Sequence, residues 1–364
     1  MDNNSAAMNA SHPEVHIGSP LPIACGCVLL VVWLASLTLC SGVLLGLWRT
    51  RQLGAPVNHL VAFLLVNELF VRLLGSPLIL MSMFTRRWLF GDAGCVFYAF
   101  WMTLLGVTSI SLFTAIAIFR YIIVCRSRFS SRLTPALCNL VGGGCFLHGL
   151  VWAVVPLTGI GHTGYVYEPS RLSCTPDWDP PNVGYISGLF TASFFIPVSI
   201  ASFSFVQIKR KAHRHRLRPT ASARYIQMEH DLTVLCVITM AMFLFSWTPY
   251  AVIAYLHTLG IASGIVTPEL SLVPLVCAKT AGFWNPVIFS LKNRPVKEYI
   301  GANISDAFTR LGSALRCGRK NFVGIRHSRG RKPDVNIPES PEEDRFRTTR
   351  VEGAGLRVVE ESNV

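Results

Sequence analysis

The chain has 364 residues, 51% of them hydrophobic and 15% charged, with a formal net charge of +13. Soluble domains carry about 25% charged residues, so an ordinary water-soluble globule is excluded. Nucleic-acid binding is a poor account of the positive charge, because no soluble basic domain exists to carry it.

Residues 1–22 form a polar N-terminal tail. In it, Asn3-Asn4-Ser5 and Asn9-Ala10-Ser11 are glycosylation acceptors at Asn3 and Asn9. Seven apolar stretches follow, at roughly Ile23–Trp48, Val57–Phe84, Cys95–Cys125, Pro135–Pro156, Val183–Ile208, Leu232–Leu259 and Ile265–Leu291. Each reaches the ~20 residues needed to cross a bilayer as a helix. Backbone groups in lipid must bond within their own segment, so residues 23–292 are expected to form an all-α, seven-transmembrane helix bundle. The ~10-residue alternating strands of a membrane barrel are not visible. The first stretch lacks a basic leading region and exceeds the about 7–15 apolar residues of a signal peptide, so it reads as a span.

Lys and Arg placement sets the orientation. Arg49 and Arg51 follow the first span, and Arg126, Arg128 and Arg132 the third. The fifth is followed by Lys209, Arg210, Lys211, Arg214, Arg216, Arg218 and Arg224. The alternate loops are less basic and carry Asp92, Glu168, Asp177, Asp179 and Glu269. The expected protein is a multi-pass plasma-membrane protein with an extracellular N-terminus and a cytoplasmic C-terminus. Its basic face would attract anionic membrane lipids. Of eleven cysteines, nine lie in or beside spans or in the tail, where small apolar packing is the ordinary role. Cys95 and Cys174 fall on the outer, oxidising side, and a disulfide between them is the favoured pairing. On the second span, Glu68 and Arg72 stand four residues apart and can pair.

Lys279 is the only cationic side chain in the seventh stretch. An ammonium in hydrocarbon costs about 2.5–3.5 kcal/mol on insertion scales. It is tolerated if neutral, paired with a carboxylate such as Glu68, or chemically used. A buried lysine amine can form a Schiff base with an aldehyde. Beyond the bundle, residues 293–317 read as an amphipathic helix lying on the membrane, with Phe308, Leu311 and Leu315 at helical spacing. Cys317 at its end is a palmitoylation candidate. The charged, aromatic-poor tail 318–364 is expected to be disordered. It ends Glu361-Ser362-Asn363-Val364, which fits a ligand of a PDZ-domain protein. No metal site is expected.

Three motifs stand in order: Ile118-Phe119-Arg120-Tyr121 in the third span, Ser246-Trp247-Thr248-Pro249-Tyr250 in the sixth, and Asn285-Pro286-Val287-Ile288-Phe289 in the seventh. With Cys95 lying 25 residues before Arg120, they resemble the rhodopsin-like class of G-protein-coupled receptors from about Ile23 to Ile300. Lys279-Thr280 lies six residues before Asn285-Pro286, where opsins carry the lysine that binds retinal. The chain thus resembles opsins, and closest to non-visual ones.

The resemblance implies retinal, 11-cis or all-trans, bound covalently through a Schiff base on Lys279. Where vertebrate visual opsins carry a glutamate counterion, this chain has Tyr98. The other opsin carboxylate position is Glu168, six residues before Cys174, and it becomes the expected counterion. Thr103, Gly106, Phe194, Phe243, Trp247, Tyr250 and Ala251, with Tyr98, match retinal-pocket positions. Arg120, Tyr121 and Glu229 match the G-protein-coupling face, with an Arg120–Glu229 ionic lock. The implied function is a light-sensing receptor acting on a heterotrimeric G protein, with arrestin as a further partner, and not an enzyme. The alternatives are a retinal photoisomerase, or a chemoreceptor in which Lys279 is incidental. Three departures bear on signalling: Phe119 replaces the acid before Arg120, Phe205 the fifth-span tyrosine, and Phe289 the last tyrosine of the seventh-span motif.

Overall fold

The structure is a computed structural model that describes residues 19–179, 182–216, 221–261, 267–292 and 296–302. Asn3, Asn9, Cys317, the tail from 318 and the side chain of Glu229 lie outside the described residues.

Among the described residues, seven helices are long and apolar enough to cross a membrane: α1 (Leu21–Arg49), α2 (Pro56–Thr85), α3 (Gly91–Cys125), α4 (Pro135–Thr158), α5 (Val183–Phe190 continuing through Thr191–Phe195 into Ile196–Arg216), α6 (Ala221–Thr258) and α7 (Pro268–Lys292). Four begin on proline at the first or second position (α1, α2, α4 and α7), where the missing N–H costs no helical bond. Thr134 also caps α4 by accepting from the Leu137 N–H. The apolar stretches locate every helix, but α5 and α6 run further than hydropathy suggests, to Arg216 and from Ala221. Hydropathy marks the hydrocarbon-facing part, whereas helical hydrogen bonding continues into water along basic sequence.

Two helices are interrupted by a π-turn. In α2 it covers Val71–Gly75, where the Ser76 N–H reaches the Val71 carbonyl. In α5 it covers Thr191–Phe195, where the Ile196 N–H reaches Thr191. Each turn lies just ahead of a proline, Pro77 and Pro197. A proline cannot bond the carbonyl four residues back, and the chain relaxes by inserting one residue. The consequence is rotational: side chains in these turns point where a regular helix would not aim them.

Helix α3 runs through the middle of the bundle. It packs against α2, α4, α5 and α6, while α7 lies between α1 and α6. The main core combines Leu60, Leu64 and Leu65 of α2 with Leu112, Phe113 and Ile116 of α3, Met240 and Phe243 of α6 and Ala281 of α7. Residues 296–302 are helical. Val296 is fully buried and packs on Gly46 of α1, so the part of the amphipathic segment that is described rests on the bundle.

Between α4 and α5 lies a feature that hydropathy did not announce, a short antiparallel hairpin of β1 (Tyr165–Tyr167) and β2 (Cys174–Pro176). Tyr165 is paired with Pro176 and Tyr167 with Cys174. A disulfide between Cys95 and Cys174 fastens β2 to the start of α3.

Candidate functional site

A cavity of about 150 Å³ opens among α3, α5, α6, α7 and the hairpin. Lys279 of α7 lines it, as do Thr103 and Gly106 of α3, Phe194 of α5, and Trp247, Tyr250 and Ala251 of α6. A Cβ on Gly106 would stand 4.0 Å from the Trp247 ring, an ordinary contact distance, so Gly106 faces that ring across the cavity without being forced by space. Phe243 does not line the cavity. It packs between Phe113 and Trp247, with ring centroids 5.1 and 6.0 Å away, and so supports the tryptophan from the core side. Tyr98 is buried with its ring 5.0 Å from the Lys279 amine. An aromatic face attracts a cation but supplies no negative charge.

A carboxyl group in the cavity wall comes from the hairpin. Glu168 follows β1 directly and is 3% exposed. Its backbone N–H donates to the Ser173 carbonyl, and its carbonyl accepts from Arg171 at 2.8 Å; the two bonds fold the loop so that the side chain turns inward. The Tyr250 hydroxyl lies 2.7 Å from Glu168 Oε1 and 2.9 Å from Thr175 Oγ1. With one proton to give, it donates to the carboxylate and accepts from the threonine. Glu168 Oε2 is buried with no hydrogen-bond partner. Burial raises the Glu168 pKa above the ordinary carboxylate range, against the Tyr250 hydrogen bond and the neighbouring Lys279, which lower it. A solvated loop acid would show none of these features.

Glu68 is engaged elsewhere. Its Oε2 faces Arg72 at 3.7 Å, and its Oε1 accepts from Ser109 and Asn285 at 3.2 and 3.3 Å. Arg72 stands in the α2 π-turn, 3% exposed, and donates from Nη1 to the Lys279 carbonyl at 3.1 Å. The Glu68–Arg72 pair therefore ties α2 to α7 at the backbone of Lys279, while the lysine amine faces the cavity.

At the opposite end of the bundle, Arg120 is buried. Tyr121 packs on Phe203, with centroids 6.1 Å apart, and accepts from Arg126 Nε at 3.3 Å. Phe119 is buried in the main core, with Phe205 and Phe289 packed against it. Residues that the motifs did not flag also line the cavity: Met102, Ile110, Thr175, Trp178, Ser193 and Leu275. Of these, Thr175 and Trp178 belong to the hairpin region, whose course hydropathy could not give. Leu275 stands one helical turn before Lys279 and was within reach of a periodicity argument.

A bundle of seven membrane-crossing helices, with a disulfide-held hairpin over a cavity that contains a lysine, defines a seven-helix membrane receptor. The chain belongs to the rhodopsin family of seven-transmembrane receptors: residues 40–289 match the family described as 7 transmembrane receptor (rhodopsin family). It is similar to melanopsin of Phodopus sungorus (29% identical, 86% of this chain and 71% of that one) and of Mus musculus (30%, 79% and 57%). It is also similar to the visual pigment-like receptor peropsin of Homo sapiens (28%, 69% and 76%). The chain thus spans only 57% of the mouse melanopsin. The crystal structure of squid rhodopsin superimposes with a TM-score of 0.72 at 25% identity, covering 82% of this chain and 90% of that one. The protein is an opsin-like, multi-pass membrane receptor.

Proposed function

We propose that the protein is a light-sensing receptor that holds retinal on Lys279 with Glu168 as counterion, and that it acts on a heterotrimeric G protein through the Arg120–Tyr121 face. One observation carries the reading: the Lys279 amine and the buried, half-satisfied Glu168 carboxylate line one apolar cavity. A neutral lysine amine adds to an aldehyde carbon, and the carbonyl oxygen leaves as water. A cation left on that nitrogen needs an anion, because burial otherwise favours its neutral form. Tyr98 offers only a ring face and Glu68 is committed to Arg72, so Glu168 remains. Retinal would supply absorption of visible light and a double bond that isomerises. The chain supplies the attachment point, the anion and a dry, shaped space. In this reading the hairpin side is extracellular.

The test is reconstitution of the expressed receptor with 11-cis-retinal, followed by absorbance spectra before and after illumination. A visible band that changes with light is expected from wild type, and none from Lys279→Ala. A band of equal size in Lys279→Ala would place the attachment elsewhere. The second reading, a retinal photoisomerase, draws on the phenylalanines at 119, 205 and 289, which remove polar groups from the signalling face. It predicts release of the opposite isomer under continuous light without nucleotide exchange.

A further inference from the structure

Buried serines in these helices have a shared habit. Ser36, Ser82, Ser204 and Ser246 each donate to the carbonyl four residues back, and Ser109 donates to Glu68. Ser193 of α5 is 5% exposed, lines the cavity, and makes no hydrogen bond to the protein. Ser193 stands in the π-turn Thr191–Phe195, four residues ahead of Pro197. An unpaired buried hydroxyl is expensive; in a cavity wall it marks where a ligand atom belongs.

The surroundings define that atom. The other α5 residues in the wall are Ile186, Leu189, Phe190 and Phe194, and Val107 and Ile110 of α3 also line the cavity. All are apolar. Lys279 and Glu168 are contributed by α7 and the hairpin, and α3 and α6 lie between α7 and α5. A ligand anchored on Lys279 that fills the cavity therefore ends against α5, in an apolar wall with one hydroxyl.

We propose that Ser193 is a specificity residue for an oxygenated ring: the site takes a retinal whose ring carries a hydroxyl or keto oxygen, hydrogen-bonded to Ser193 Oγ. The inference rests on the retinal reading above. A site built around a polar partner rejects the analogue that lacks it, because its own buried group is then left unpaired.

The test is competition. Purified full-length receptor is offered an equimolar mixture of 11-cis-retinal and its ring-hydroxylated counterpart, and the bound chromophore is extracted and quantified by chromatography. Wild type is expected to retain the hydroxylated form about fivefold over the plain one, the worth of one net hydrogen bond. In Ser193→Ala the ratio falls to about one. In Ser204→Ala, whose hydroxyl is already bonded within α5, it stays at the wild-type value. A general packing defect would lower uptake of both chromophores and leave the ratio alone. Equal retention by wild type would overturn the proposal, as would a preference that survives Ser193→Ala. Retention of plain retinal without preference removes the Ser193 role alone, whereas failure to retain either chromophore removes the retinal reading with it.

Discussion

At the scale of single residues, the environment of Glu168 carries the most chemistry. Glu168→Gln removes the anion facing Lys279, and the visible band is expected to move to the ultraviolet at neutral pH as the linkage loses its proton; an unchanged band would mean that another anion serves. Tyr250→Phe gives a graded version. The phenol donates to Glu168 Oε1, a bond that favours the charged form of the carboxyl group, so its loss raises the Glu168 pKa. Acid titration of the absorbance band should then show its transition at higher pH than in wild type, by about one unit if the hydrogen bond is worth ~1.4 kcal/mol. A transition moved to lower pH would contradict the assigned direction of donation.

At the scale of elements, the contact between α2 and α7 is a buried charge pair whose members need each other. Arg72→Met leaves Glu68 in the bundle without its cation, which typically costs about 3–5 kcal/mol. Glu68→Gln combined with Arg72→Met removes both charges and should recover most of the loss, because the expensive state is the single unpaired charge. Thermal melting of the four proteins in detergent completes the cycle; a double variant as unstable as Arg72→Met would refute the coupling. Gly282 belongs to the same contact. A Cβ there would overlap the Glu68 carboxylate and the Arg72 guanidinium, so Gly282→Ala is expected to destabilise by about 1–3 kcal/mol through overpacking. The second-span acid and arginine were legible as a pair four residues apart. Their reach to Lys279 was not, because it depends on a π-turn that no hydrophobic pattern encodes.

At the scale of the whole molecule, the hairpin and its disulfide turn a surface loop into part of the cavity wall. Two paired strands of three residues cannot hold a shape unaided, so the Cys95–Cys174 bond and the inward contacts of Glu168 and Tyr165 must fix it. Tyr165 donates to the Ala153 carbonyl at 2.7 Å. Cys174→Ala is expected to lower thermal stability by about 2–5 kcal/mol and to abolish a stable visible pigment by releasing Glu168; retention of a full wild-type spectrum would show the loop to be held without it. At the other end, Phe119 is buried in the main core and Phe205 and Phe289 pack against it, at positions where the resemblance to the receptor class implies polar groups. A nucleotide-exchange assay is expected to show weak light activation or raised dark activity, and robust, reversible activation with negligible dark activity would contradict that.

The sequence alone determined the seven helices, because a bilayer demands about 20 apolar residues per crossing and seven runs supply them. It also determined Lys279 as the residue to explain, because a charge in such a run is costly wherever the helix packs. Only the tertiary structure decided what surrounds that lysine. Glu168 is a polar loop residue by sequence and a buried carboxyl group in the fold, and the difference lies in a hairpin closed by residues 79 apart. Ser193 is one serine among many until the fold places it in the cavity wall with its hydroxyl unpaired. Burial and direction are properties of several segments meeting, and no local pattern contains them.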